Sequence, residues 1–102
     1  MFNGIATLIF YTIMDGEIIE NTIPTYAQEK SVTRQERLVS YQTNTDSAYV
    51  YDVRSEDYEL TKHIDKDTKK PIYASRIMVE EAVFDIVHHY SVGNGKVELT
   101  CS

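Results

Sequence analysis

The chain has no tryptophan, one cysteine, two prolines and four glycines in 102 residues. Each scarcity excludes something. A single cysteine, Cys101, cannot form an internal disulfide, so the fold makes no demand for an oxidising compartment. Few prolines and glycines exclude collagen-like, linker-like and low-complexity organisation. No apolar run approaches the ~18 residues of a membrane-spanning helix. The most apolar stretch, residues 4–14 (GIATLIFYTIM), lacks the basic flank and small-residue cleavage site of a signal peptide. It is expected to be a buried strand of a protein that stays in the cytoplasm. Basic residues are also in the minority, 10 against 16 acidic, for a net charge of −6. That argues against a generic nucleic-acid coat, which needs a cationic face to displace counterions from phosphates.

What is present is tyrosine, eight in all, together with many β-branched residues. Both favour pleated, half-wet surfaces. The length allows one domain, residues 1–102, with one modest core. Period-2 alternation runs through residues 73–79 and 82–90. It puts Phe84, Ile86 and His88 on one face and Val83, Asp85 and Val87 on the other. Met78, Ala82, Ile86 and Tyr90 also have helical spacing, so a helix over 79–90 competes. The β-branched content and the Gly93-Asn94-Gly95 turn favour strands. Residues 96–100 form a last short strand.

Earlier in the chain, residues 6–14 and 17–23 flank Asp15-Gly16, a two-residue hairpin turn. Pro24 marks an edge or bulge, and 25–32 resumes an extended pattern. Thr33-Arg34-Gln35-Glu36 has capping-box form and predicts a short helix over 34–41. A polar loop (42–47) and a strand (48–53) follow, with Tyr49, Tyr51 and Val53 on one face. Residues 54–70 hold five acids, five bases and few apolar residues. They predict a long, mobile, charged loop. The fold expected is mainly β: a small antiparallel β-barrel with a short helix and one long charged loop. Phe84 and Ile86 should be buried with Leu8, Phe10 and Val97.

Chemistry-bearing constellations are sparse. His88 and His89 are adjacent on a strand and point to opposite faces, so they do not share a metal readily. Asp65-x-Asp67 has the opening spacing of a calcium loop but lacks its glycine and terminal glutamate. No nucleophile is paired with a base in any motif. The reading is no enzyme, no cofactor and no metal. Tyr49 and Tyr51 could stack bases on a barrel face.

Two stretches resemble the head-closure, or head–tail joining, proteins of long-tailed bacteriophages. One is Tyr26-Ala27-Gln28-Glu29-Lys30-Ser31-Val32-Thr33-Arg34-Gln35-Glu36, a strand ending in a Ser-Val-Thr-Arg-x-Glu corner. The other is Ala82-Val83-Phe84-Asp85-Ile86-Val87-His88-His89-Tyr90 with Gly93 and then Val97-Glu98-Leu99-Thr100-Cys101. Asp57-Tyr58 after a strand fits the middle. Arg37-Leu38-Val39 and Glu80-Glu81 depart from the pattern, which usually has aromatic and small residues at the first position and Gly at the second.

The resemblance implies a virion protein of the neck, made in the host cytoplasm. It implies a homo-oligomeric ring, generally twelve-fold, between the portal adaptor and a tail terminator or tail tube protein. Such a ring retains packaged DNA without sequence specificity and docks the tail, and it implies no membrane partner. A tail terminator or adaptor ring is the nearest alternative, and a small nucleic-acid-binding barrel the more distant one. The loop after the Arg-x-Glu corner would reach the channel or the next subunit, which makes Arg37, Leu38, Val39, Tyr41, Gln42, Asn44 and Asp46 candidate contact residues. Arg54, Asp57, Tyr58, Lys62, Asp65 and Lys69 are the candidates in the charged loop.

Overall fold

A computed structural model describes residues 2–30 and 49–102. Among these residues eight strands are seen: β1 (Asn3–Met14), β2 (Glu17–Lys30), β3 (Tyr49–Arg54), β4 (His63–Ile64), β5 (Pro71–Ile72), β6 (Arg76–Val79), β7 (Ala82–Gly93) and β8 (Lys96–Cys101). One short helix, α1 (Ser55–Glu59), follows β3. Six strands close into an antiparallel barrel in the order β1-β2-β3-β8-β7-β6, and β4 pairs with β5 in a separate ribbon. The expected β-barrel class is therefore what the chain adopts.

The alternation seen in the sequence builds the interior. Ala6 and Leu8 from β1, Ala27 from β2, Tyr51 and Val53 from β3, Ile77 and Val79 from β6, and Val97, Leu99 and Cys101 from β8 are all buried. Phe10, Phe84 and Ile86 pack against them half-buried. Of the five expected core residues, Leu8 and Val97 are buried, whereas Phe10, Phe84 and Ile86 reach the core only half-buried. On the outer face, Lys30 lies 2.6 Å from Glu98 and 3.8 Å from Asp52, and these residues tie β2, β3 and β8 together.

Several boundaries differ from the sequence reading. The helix expected over 34–41 and the loop over 42–47 lie outside the described residues. Pro24 lies on an open edge of β2, as one of its two expected readings has it, and the strand runs through it without the bulge of the other. The reason is register. A two-residue turn makes Met14 and Glu17 a hydrogen-bonded pair, and such pairs then recur at every second residue. Pro24, opposite Thr7, falls in a non-bonded pair, so its missing N–H faces away from β1 and costs the ladder nothing.

The helical alternative over 79–90 is overturned, because β6 and β7 pair across the turn at Glu80-Glu81. β7 also runs on to Gly93, with register shifts between Ile86 and His88 and between Ser91 and Gly93. The extra residue flips the alternation. His89, opposite Leu99, takes the inward side, where its ring lies 5.4 Å from Tyr58 and 5.5 Å from Tyr73. His88 does not share the face of Phe84 and Ile86.

Candidate assembly surface

The charged segment 54–70 is not the unbroken loop its composition predicts, since it holds the end of β3, the helix α1 and strand β4. Arg54 ends β3 and forms an ion pair with Glu56. In α1, Asp57 accepts a hydrogen bond from buried Thr25 at 2.9 Å. Tyr58 enters the barrel end and stacks on Tyr73 at 4.9 Å. Burial pushes the Tyr58 phenol pKa well up. The Thr61 hydroxyl donates to the Tyr58 carbonyl at 2.6 Å and accepts from the Ala74 N–H at 2.9 Å. Both residues are buried, and they outweigh the polarity around them. Two well-placed side chains suffice to anchor a segment whose average composition looks like solvent.

Beyond Lys62 the segment turns outward. His63 stacks on Phe10 at 5.2 Å, and its Nδ1 lies 2.8 Å from the Thr61 carbonyl, which fixes that nitrogen as the donor. Asp65 accepts from the backbone and hydroxyl of Thr68, and these bonds hold its carboxyl below the usual range. Lys69 closes the turn in the left-handed region, its N–H bonded to the Asp65 carbonyl at 2.8 Å. The six candidates here are therefore divided. Arg54 closes β3, Asp57 and Tyr58 are structural anchors, and Lys62, Asp65 and Lys69 lie on or beside the outer ribbon. The other candidates, Arg37, Leu38, Val39, Tyr41, Gln42, Asn44 and Asp46, lie outside the described residues.

The feature the sequence reading missed is an arm. β1 and β2 pair in register over their whole length, from Asn3–Gln28 to Met14–Glu17. β6 covers β1 only at Thr7, Leu8 and Ile9, and β3 covers β2 only from Ala27. The far half of the hairpin outruns its neighbours, in a molecule 45 Å long and under 30 Å across. Ile13, Met14, Ile18 and Ile19 sit at its tip, all exposed, with Ile18 at 74%. They lie on both faces, since Ile13 opposes Ile18 while Met14 and Ile19 have the other parity. A strand with only one face in a core would not need that, and this was the available signal. Between the arm and the β4–β5 ribbon runs an open groove of about 320 Å³, lined by Tyr11, Ile13, Ile64 and Ile72 among others.

Other chemistry is thin at this surface. Among the described residues no cluster of three His, Cys, Asp or Glu side chains could hold a metal ion. Among them, too, no helix is long and apolar enough to cross a membrane. Tyr51 points into the barrel at 2% exposure, and Tyr49 leans on Phe84 at 4.8 Å, so strand β3 offers no open stacking platform. Cys101 is buried, which pushes its thiol pKa up to about 12 and leaves it a poor nucleophile. Comparison with family models, with curated proteins and with solved structures gives no match.

Proposed function

We propose that this chain is a structural subunit of the neck of a long-tailed bacteriophage, working as one copy in a ring between the portal adaptor and the tail. The observation that carries this reading is the projecting hairpin arm with apolar side chains on both faces. A monomer gains nothing by holding Ile13, Met14, Ile18 and Ile19 in water, whereas an assembly subunit buries them against a neighbour. The small closed barrel supplies the rigid base such an arm needs. Net charge supports the same reading. A ring with a charge of −6 per copy repels DNA phosphates, so it can pass or retain packaged DNA without gripping it. Function here is shape and contact in the virion, with no reaction catalysed and no cofactor held. The nucleic-acid-binding alternative loses its main support, because the Tyr51 ring belongs to the core.

The test is genetic and visual. Particles made by the encoding phage without this protein should show heads that leak DNA and carry no tails in electron micrographs. Tailed, filled, infectious particles formed in its absence would remove it from the neck.

A further inference from the structure

Among the described residues, the edge of β1 beyond Ile9 looks onto the groove against the β4–β5 ribbon, and two further open edges lie on β2 and β7. On β2, residues 17–26 have β1 on one side and, among the described residues, no strand on the other. α1 closes part of this edge through Asp57 and Thr25, and Pro24 offers no N–H there. Counting from the tight turn, residues 18, 20 and 22 direct their N–H and C=O groups outward. On β7, β6 pairs only with residues 82–85, and the Ile86 N–H goes to the Ser75 carbonyl. Residues 88–91 then have β8 on one side and, among the described residues, no strand on the other. The irregularities on either side limit this second edge to a short ladder.

The two edges are three strands apart in a ring of six, which puts them on opposite sides of the barrel. Both carry exposed apolar side chains: Ile18 and Ile19 on one, Val87, Tyr90 and Val92 on the other. Their charge differs. The β2 edge carries Glu17 and Glu20, and no Lys or Arg occurs before Lys30. Residues 86–93 carry no carboxylate and two histidines. Pairing β2 with a second β2 would bring the carboxylates of Glu17 and Glu20 close to those of the other copy, which is unfavourable across a ladder. Pairing β2 with β7 avoids that.

We propose that residues 18–22 of β2 in one copy add edge-on to residues 88–91 of β7 in a second copy. The contact is head-to-tail between unlike edges on opposite sides, so each copy still offers one free edge after pairing. Such a contact propagates, and it closes into a ring where the rotation allows. Main-chain bonds hold it, and Ile18 and Tyr90 on the continued outer face pack across it. This deepens the ring reading above and rests on it for its biological setting. The contact itself belongs to the purified chain at high concentration.

Engineered disulfides test it. Ile18→Cys and Tyr90→Cys are made singly and together. Both positions are well exposed, at 74% and 68%, and native Cys101 is buried. On oxidation at millimolar protein, the mixed single variants should give a covalent dimer and the double variant a ladder of higher species. Thr22→Pro, which removes one outward N–H and leaves the β1 ladder intact, should abolish the ladder in the double variant while the melting transition stays in place. Dimers from Ile18→Cys alone would show tip-to-tip pairing and overturn the proposal, and so would the absence of any cross-link. Rings seen by electron microscopy without the cross-link would overturn this contact and leave the neck reading standing. A ladder together with normal tailed particles lacking the protein would do the reverse.

Discussion

Glu80 and Glu81 form the two-residue turn between β6 and β7 at φ 50° and 70°. Two positive φ values in succession define a type I′ turn, where Asn-Gly or Asp-Gly is the ordinary solution. Two other tight turns use such pairs, Asp15-Gly16 and Asn94-Gly95. At 80–81 it carries two unbranched acids in a region that costs an L-residue roughly 1–2 kcal/mol. Replacing the pair by Asn-Gly relieves most of that cost. Asn tolerates the left-handed region, while Gly gives back about 0.5–1 kcal/mol through the freedom it gains on unfolding. The net expectation for the double variant E80N/E81G is a gain of about 1–2 kcal/mol. For a domain this size that raises the melting temperature by roughly 5–15 °C. A urea titration should move its midpoint up with an unchanged slope. Gly95→Ala is the mirror control. Its φ is 71° and no atom lies within 4 Å of the added Cβ, so any loss is backbone strain alone, about 1 kcal/mol. An E80N/E81G midpoint at or below that of the parent, with Gly95→Ala destabilising as expected, would refute the strain argument at this turn.

Leu99 is fully buried in the middle of β8, and Leu99→Ala should cost about 2–5 kcal/mol in a urea unfolding curve. Thr61→Val keeps the shape but strands the Ala74 N–H and removes the donor to the Tyr58 carbonyl; a loss of about 1–3 kcal/mol is expected by the same measurement. Stability should also fall in alkali. Burial raises Cys101 from 9.0 and Tyr51 from 10.0, each to about 12. The folded state therefore keeps protons that the unfolded chain releases, and stability is full below pH 9 and lost progressively towards pH 12. A flat melting temperature between pH 8 and 11 would contradict this.

How much was legible depended on whether a feature is local. The inward set Val97, Leu99 and Cys101 follows from alternation in a strand paired on both edges, and the Asp15-Gly16 turn follows from two residues. The register shift after Ile86 was not legible, because one extra residue leaves composition and propensity unchanged while inverting every face beyond it. That is why His89 rather than His88 meets Tyr58. Segment 54–70 was misjudged because averaging over seventeen residues hides Tyr58 and Thr61. The arm was missed for a different reason. Apolar residues on both faces of its tip hint at a second contact, but its projection is set by where β3 and β6 stop. The candidate contact surface was thus found by topology.

The barrel's closure has a kinetic side. β1–β2, β6–β7 and β7–β8 are hairpins with tight turns, so their partners meet early and cheaply. The seam that makes the sheet a cylinder is β1 against β6, only Thr7–Met78, Leu8–Ile77 and Ile9–Arg76. It joins segments some seventy residues apart, and its loop-closure entropy must be met before those few bonds repay it. The seam should therefore form last and open first. Backbone amides at the β1–β6 seam should exchange with solvent well ahead of those between β3 and β8, and each opening would unroll the cylinder into a curved sheet with its arm still attached.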